Sequence, residues 1–186
     1  MENFSAVFKN FPQLTTKNLI LRETTLADAP AVFQIFADDE VTKYHDLDTA
    51  TSVDQAKFLI ERRAERFQNQ QGIRWGIARK EDNLIIGSCG YSIKNRYQAE
   101  IGYELARTYW RKGLMTEALS EIIKWGFQQL DLNRIEAFVL PENNASIKLL
   151  ENLQFVEEGL LREYGFWKGK FHNLQVFSLL KRDYSN

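Results

Sequence analysis

Apolar residues recur along the chain with two different periods, and the order of those periods predicts a mixed sheet flanked by helices. Residues 14–22 alternate apolar and polar positions near their end and predict a first strand. Asp28 ahead of Pro30 marks a helix start, with Asp as cap and Pro in the first turn. Ser52 and Gln55 make a capping-box pattern before a second helix, in which Val53, Ala56, Ile60 and Phe67 keep roughly helical spacing. The middle of the chain predicts a meander. Residues 75–79 and 84–91 form the arms of an antiparallel hairpin across residues 80–83, and Gln98–Leu105 is a further strand. From Leu114 the period turns helical through Ala118, Ile122, Trp125 and Gly126. Residues 134–140 then alternate again, with Ile135, Ala137 and Val139 facing one way and Glu136 and Phe138 the other. A last helix runs through Ile147, Leu150 and Leu153, and a closing hairpin turns at Lys168-Gly169 between residues 160–167 and 171–180. No repeat, linker or low-complexity run interrupts this order, so residues 1–186 are expected to form a single domain.

Composition narrows the function classes. The 186 residues are 44% hydrophobic and 13% aromatic, enough for one sizeable core. With 24 Lys+Arg against 25 Asp+Glu the net charge is −1, so no global field recruits nucleic acid or an anionic membrane, and any anion must be held locally. The single cysteine, Cys89, has no partner for an internal disulfide and reads as a small buried hydrophobe. The start of the chain lacks the basic and apolar regions of a signal peptide, and no apolar stretch reaches the length of a membrane span; a cytoplasmic location is expected. Two distant histidines, His45 and His172, without a CxxC or HExxH pattern, argue against a metal site. The patterns GxxxxGK[ST], GxGxxG and GxSxG do not occur.

One segment carries chemistry. The strand Gln98–Leu105 runs through a short loop into Trp110, Arg111, Lys112, Gly113, Leu114, Met115 and Thr116 at the start of a helix. Such a junction points unpaired backbone N–H groups at one spot, and the helix dipole adds positive potential there, which favours a phosphate. Gly113 allows close approach of backbone, and Arg111 and Lys112 add charge. The plain alternative is a solvated basic connection before an amphipathic helix.

Taken together, Ala99-Glu100-Ile101-Gly102-Tyr103-Glu104-Leu105, residues 110–118, Pro141-Glu142-Asn143-Asn144-Ala145-Ser146 and Leu153-Gln154-Phe155 resemble, in order and spacing, the GNAT superfamily of N-acetyltransferases. Within it the chain is similar to the RimJ/RimL type, which modifies protein N-termini, and the resemblance extends from residue 14 to the final hairpin. It implies an α/β (α+β) fold: a mixed, mostly antiparallel sheet of about seven strands flanked by four helices, with a V-shaped split between the fourth and fifth strands. It also implies acetyl-CoA as cosubstrate and an amine acceptor, possibly a protein N-terminus. Backbone groups of Tyr103, Glu104 and Leu105 would meet the pantetheine arm, Arg111, Lys112, Gly113, Leu114, Met115 and Thr116 would cradle the pyrophosphate, and Asn143 would bond the cofactor from the opposite side. Three positions depart from the usual pattern: Trp110 and Met115 open and close a loop that commonly reads Arg/Gln-x-x-Gly-x-Gly/Ala, and Asn18 stands where arginine is common.

Amine attack on a thioester needs a neutral amine, stabilisation of the oxyanion, and a proton for the leaving thiolate. The resemblance implies the N–H of Leu105 for the second and Ser146 for the third; Ser146 is equally suited to starting the last helix. Some relatives use a tyrosine four residues on, where this chain has Leu150. For the base, Glu100 and Glu104 alternate onto one strand face, and Glu100 is favoured by an Ala-Glu-Ile context like that of the base in some relatives; others carry a glutamate on the next strand where this chain has Phe138, with Glu136 on that same strand face, and any of these glutamates can be a solvated charge. Deprotonating a lysine at pH 7 costs roughly 4.6 kcal/mol against about 1–1.4 for an α-amine, which favours an N-terminal acceptor. Polyamines, aminoglycosides and amino acids are the alternative acceptors, and a non-catalytic acyl-CoA-binding module is the alternative activity. A monomer or a homodimer is compatible with the aromatic surface.

Overall fold

In the computed structural model, which describes residues 2–184, the alternating segments pair into one eight-stranded sheet of order β1-β2-β3-β4-β5-β6-β8-β7. The strands are β1 (Leu14–Thr15), β2 (Leu19–Arg22), β3 (Gly72–Arg79), β4 (Ile85–Asn95), β5 (Gln98–Leu105), β6 (Arg134–Val139), β7 (Val156–Trp167) and β8 (Lys170–Leu180). Six α-helices accompany them: α1 (Glu2–Val7), α2 (Ala29–Phe36), α3 (Asp39–Thr42), α4 (Val53–Gln68), α5 (Leu114–Gln129) and α6 (Asn144–Asn152). Seven strands become eight because residues 14–22 fold back on themselves: Leu14 pairs with Leu21 and Thr15 with Ile20. Four helices become six through α1 and the one-turn α3, both too short to leave a clear period in the sequence.

Local signals account for several boundaries. The capping box forms, with Gln55 Oε1 accepting from Ser52 N at 3.2 Å at the start of α4. The closing hairpin places both Lys168 and Gly169 at positive φ, +50° and +77°, the hand that matches the twist of the flanking strands.

Helices cover both faces of the sheet. On one face α1, α5 and α6 pack over Trp75, Ile77, Ile101 and Ile135, with Ala118, Leu119, Ile122 and Leu150 from the helices fully or almost fully buried. Trp75 is inaccessible, and its indole donates to Pro12 O at 2.7 Å. Gly126 in α5 lets the Tyr91 ring approach so closely that an added Cβ would lie 2.8 Å from its hydroxyl, which donates to Ile122 O. On the other face α2 and α4 bury Val32, Ile35, Ala56 and Ile60 against Ala78 and Ile85.

Every neighbouring pair of strands is antiparallel except β5 and β6. That parallel ladder holds only at Gln98–Arg134, Ala99–Ile135 and Glu100–Glu136. Beyond it β5 stays with β4 up to Leu105 while β6 stays with β8 up to Val139, so the sheet divides between the two, at the place expected for the V-shaped split.

Candidate active site

The split opens a continuous cleft of about 1200 Å³ that passes through the sheet. Residues 111–116, Asn143 and Ser146 line one mouth, and Phe36, Tyr44, His45 and Trp167 line the other.

At the first mouth, Gly113 caps α5 at φ +75°, and Arg111 is also left-handed at φ +59°. The first N–H of this helix to find a carbonyl is that of Glu117, bonded to Gly113 O at 3.0 Å. The N–H groups of Leu114, Met115 and Thr116 therefore have no upstream acceptor in the helix, and the dipole points their positive end at the cleft. No atom lies within 4 Å of the position a Gly113 Cβ would take, so there is room for a phosphate against the backbone. This supply of donors fits a pyrophosphate. Trp110, one of the departures from the usual loop, has a bracing part: its indole donates to Leu105 O at 2.7 Å and ties the loop to the end of β5. Asn18, another departure, bonds Glu117 near the helix start, from N at 2.6 Å and Nδ2 at 2.8 Å.

The β4–β5 register decides which backbone groups reach the split. Ala106 N bonds Ile86 O, and Glu104 lies opposite Ser88. In an antiparallel ladder alternate residues exchange bonds with the partner, so the main chain of Glu104 faces β4 and that of Tyr103 and Leu105 faces the split. The N–H and C=O groups of Tyr103 and Leu105 are therefore turned to the split, as a role toward the pantetheine arm would need. Glu104 departs from that expectation because its N–H and C=O are turned toward β4.

Two side-chain clusters flank the cleft. On the α6 side, the Tyr103 hydroxyl and Ser146 Oγ are 2.6 Å apart, and burial pushes the Tyr103 phenol up to about 12. Asn143 caps α6 by accepting from Ser146 N at 3.1 Å, and Leu150 is wholly buried in the core. On the α4 side, Glu104 is held by Arg63 Nη2 at 3.1 Å and by Arg74 and Ser88. Its burial raises the carboxyl, but Arg74 and then Arg63 outweigh it and bring it down to about 2. A carboxylate that weakly basic is a poor proton acceptor, which points the base role away from Glu104.

Glu100 lies where β5 and β6 part, bonded to Lys94 Nζ at 2.7 Å. Its neighbour Glu136 is tied to Arg134 Nε at 3.2 Å and Gln98 Nε2 at 2.8 Å. Phe138 stacks on Tyr164 with centroids 5.6 Å apart. His45 is held below its ordinary value, chiefly by burial, and is therefore neutral near pH 7. Trp167 stacks on His172 at 4.0 Å, and its buried Nε1 finds no acceptor among the described residues. Sequence reasoning missed the tyrosine hydroxyl and the arginine pair. Arg63 lies 41 residues and Arg74 30 residues from Glu104, beyond the reach of any local pattern.

A split sheet with an N–H-rich helix start at one mouth and ionisable side chains at the other defines an acyl-transfer enzyme of the GNAT type. The acetyltransferase (GNAT) domain matches residues 18–156, and the chain belongs to that family: it is an N-acetyltransferase. It is 44% identical over 174 residues to the uncharacterized N-acetyltransferase p20 of Bacillus licheniformis, covering 92% of this chain and 98% of that protein. It is 40% identical over 173 residues to the uncharacterized N-acetyltransferase YoaA of Bacillus subtilis (strain 168), again covering 92% and 98%. In structure it is similar to Mycobacterium smegmatis RimJ in complex with CoA-disulfide, with a TM-score of 0.81, 22% identity, and coverage of 92% and 89%. That likeness establishes the fold. Among the described residues no group of His, Cys, Asp and Glu is arranged to hold a metal, and no helix is long and apolar enough to cross a membrane.

Proposed function

We propose that the chain acts as one domain in the cytoplasm and moves the acetyl group of acetyl-CoA to a primary amine by direct attack, the acceptor being a peptide or protein N-terminal α-amine. The observation that carries this reading is the split itself. One cleft joins the unpaired N–H groups of Leu114, Met115 and Thr116, the Tyr103–Ser146 pair and the carboxylate of Glu100.

When bound, acetyl-CoA supplies an activated thioester. Arg111, Lys112 and the backbone from Gly113 to Thr116 hold its pyrophosphate, the main chain of Tyr103 and Leu105 holds the pantetheine arm, and Asn143 contributes from across the split. The N–H of Leu105 stabilises the oxyanion. Ser146 gives its proton to the leaving thiolate and receives the Tyr103 hydroxyl proton, which Tyr103 replaces from solvent because its raised phenol is protonated at neutral pH. Glu100 accepts the amine's proton, directly or through water. Glu104 shapes the floor of the site as a fixed charge.

The test mixes the purified chain with acetyl-CoA and a panel of N-terminal peptides, polyamines, aminoglycosides and amino acids while free thiol is followed. Thiol release with N-terminal peptides, and acetylation at the α-amine by mass spectrometry, is the expected result. Release only with polyamines or aminoglycosides would replace the acceptor, and silence across the panel would refute transfer.

A further inference from the structure

Three guanidinium groups gather along the cleft on the acceptor side of the sheet. Arg63 and Arg66 are one turn apart on α4, so they project from the same side of the helix onto the strands. Arg66 Nη2 donates to Ser92 Oγ at 3.2 Å and Gln71 O at 3.3 Å, which seats it over the row Gly72–Ser92–Glu100. Arg63 sits over the row that holds Glu104, four residues along β5. Arg74 lies between them: its Nε donates to Ser88 Oγ at 2.8 Å, and its Nη1 lies 2.9 Å from where a Gly102 Cβ would be. Because Gly102 has no side chain, the Arg74 guanidinium can lie close against β5, and all three arginines line the cleft.

The charges in this patch do not cancel. Among the described residues, Glu104 is the one carboxylate bonded to the cluster, against three guanidiniums. Glu100 is engaged by Lys94, His45 is neutral, and Asp46 and Glu40 sit with Lys43 on the outer lining of the cleft. Burial lowers Arg63 to about 10 despite Glu104 beside it, which is how a cation with incomplete compensation behaves. An anion placed in the cleft against the Arg74 guanidinium, which itself lies over Gly102, would meet guanidinium N–H groups that Glu104 leaves unused, near Gly102 and so one two-residue step from Glu100, roughly 6.6 Å along the strand.

We propose that Arg63, Arg66 and Arg74 form a subsite for a carboxylate carried by the acceptor, so that this enzyme prefers amines with an acidic group a few bonds away. Two sources share that chemistry: the α-carboxylate of a free amino acid, and an acidic first or second residue of a peptide N-terminus. Glu100 would face the amine while the arginines hold the acid, orienting the lone pair toward the split. The subsite deepens the acetyl-transfer reading and rests on it for the identity of the amine.

Two matched comparisons with acetyl-CoA test the subsite: alanine against alaninamide, and an Asp-first against an Asn-first peptide amide, with initial rates read as thiol release. At least one acidic member should exceed its neutral partner in kcat/KM by about tenfold or more, mainly through a lower KM, as expected for charge-assisted hydrogen bonds. Which pair shows the preference identifies the source of the carboxylate. Arg66→Gln, in a half-buried residue outside the core, should shrink that ratio through the KM of the acidic acceptor. Equal or higher rates for both neutral members overturn the subsite. Titration calorimetry with N-acetylaspartate against N-acetylasparagine, and with N-acetylalanine against its amide, each in the presence of CoA, separates the two levels of the proposal. Acid-selective binding without turnover keeps the subsite and refutes transfer to these amines; no acid-selective binding in either pair refutes the subsite whether or not turnover occurs.

Discussion

Replacing Glu104 by glutamine separates a fixed structural charge from a proton acceptor. The side chain is 3% exposed and engages Arg63, Arg74 and Ser88. Burial raises its carboxyl, yet the two arginines bring it from 4.5 to about 2, a gap worth on the order of 3 kcal/mol of folding free energy. The folded-state value lies below the unfolded one. This contribution is therefore fully present above about pH 4.5 and is lost as pH falls through about 2. Glutamine keeps the shape but leaves two guanidiniums without their counter-charge, so the variant should lose about 3 kcal/mol at pH 7, in line with breaking a buried ion pair. Urea denaturation of both proteins from pH 7 down to pH 2.5 reads this directly. The gap should be largest at neutral pH and shrink steadily at the acid end. A variant as stable as the parent at pH 7, or a gap that does not change with pH, would refute the argument. Because Glu104 is already ionised far below neutrality, the pH dependence of kcat/KM between pH 6 and 9 should keep its shape in the variant.

Four further outcomes follow from the same geometry. Gly113→Val forces a β-branched residue into a left-handed position at φ +75°, costing about 1–2 kcal/mol, so CoA affinity by titration calorimetry should fall about tenfold; unchanged affinity would sink the phosphate assignment. Ser146→Ala and Tyr103→Phe should each lower kcat by roughly tenfold or more with CoA binding intact, and the double variant should be no worse than the poorer single one, since both sit in one relay; additive losses would mean separate roles. Glu100→Gln should cut kcat/KM by about a hundredfold with CoA affinity unchanged; a loss of only a few-fold would transfer the base role to another group on the same cleft, such as the neutral His45. Trp75→Ala removes a fully buried indole and its bond to Pro12 O, and the expected loss of about 3–5 kcal/mol is read from the urea midpoint.

The parts of the fold legible in the sequence are those set by nearby residues. Ser52 and Gln55, three apart, start α4, and Lys168-Gly169 turns the last hairpin, because capping and turn geometry involve only residues a few positions apart. The two-residue β1 was not legible, since a strand that short has no period to detect; Leu14–Arg22 alternates whether it runs straight or folds back at Thr16 to Asn18. The site was legible in its backbone half. The helix start at Gly113 and the loop before it are contiguous in sequence, and donors at a helix N-terminus do not depend on what packs elsewhere. The side-chain half depends on register. Arg63 reads in the sequence as one more charge on the polar face of an amphipathic helix, because helical period reveals which side is apolar but not that the facing strand brings Glu104 under this one.

The alternation of β5 explains why the two halves differ in this way. Odd residues Ile101, Tyr103 and Leu105 turn their side chains to the α5 and α6 face and their main chains to the split, while even residues Glu100, Gly102 and Glu104 turn their side chains to the α4 face and their main chains to β4. One strand thus presents backbone to the donor and side chains to the acceptor. If the proposed roles hold, donor binding by main chain should tolerate substitutions such as Trp110 and Met115, and acceptor binding by side chain should change with replacements at Glu100, Gly102 or Glu104 and at the arginines above them. Within a fold shared at 22% identity with RimJ, the proposed subsite puts the choice of acceptor on this even-numbered face, where Arg74 lies over Gly102 and Arg63 holds Glu104.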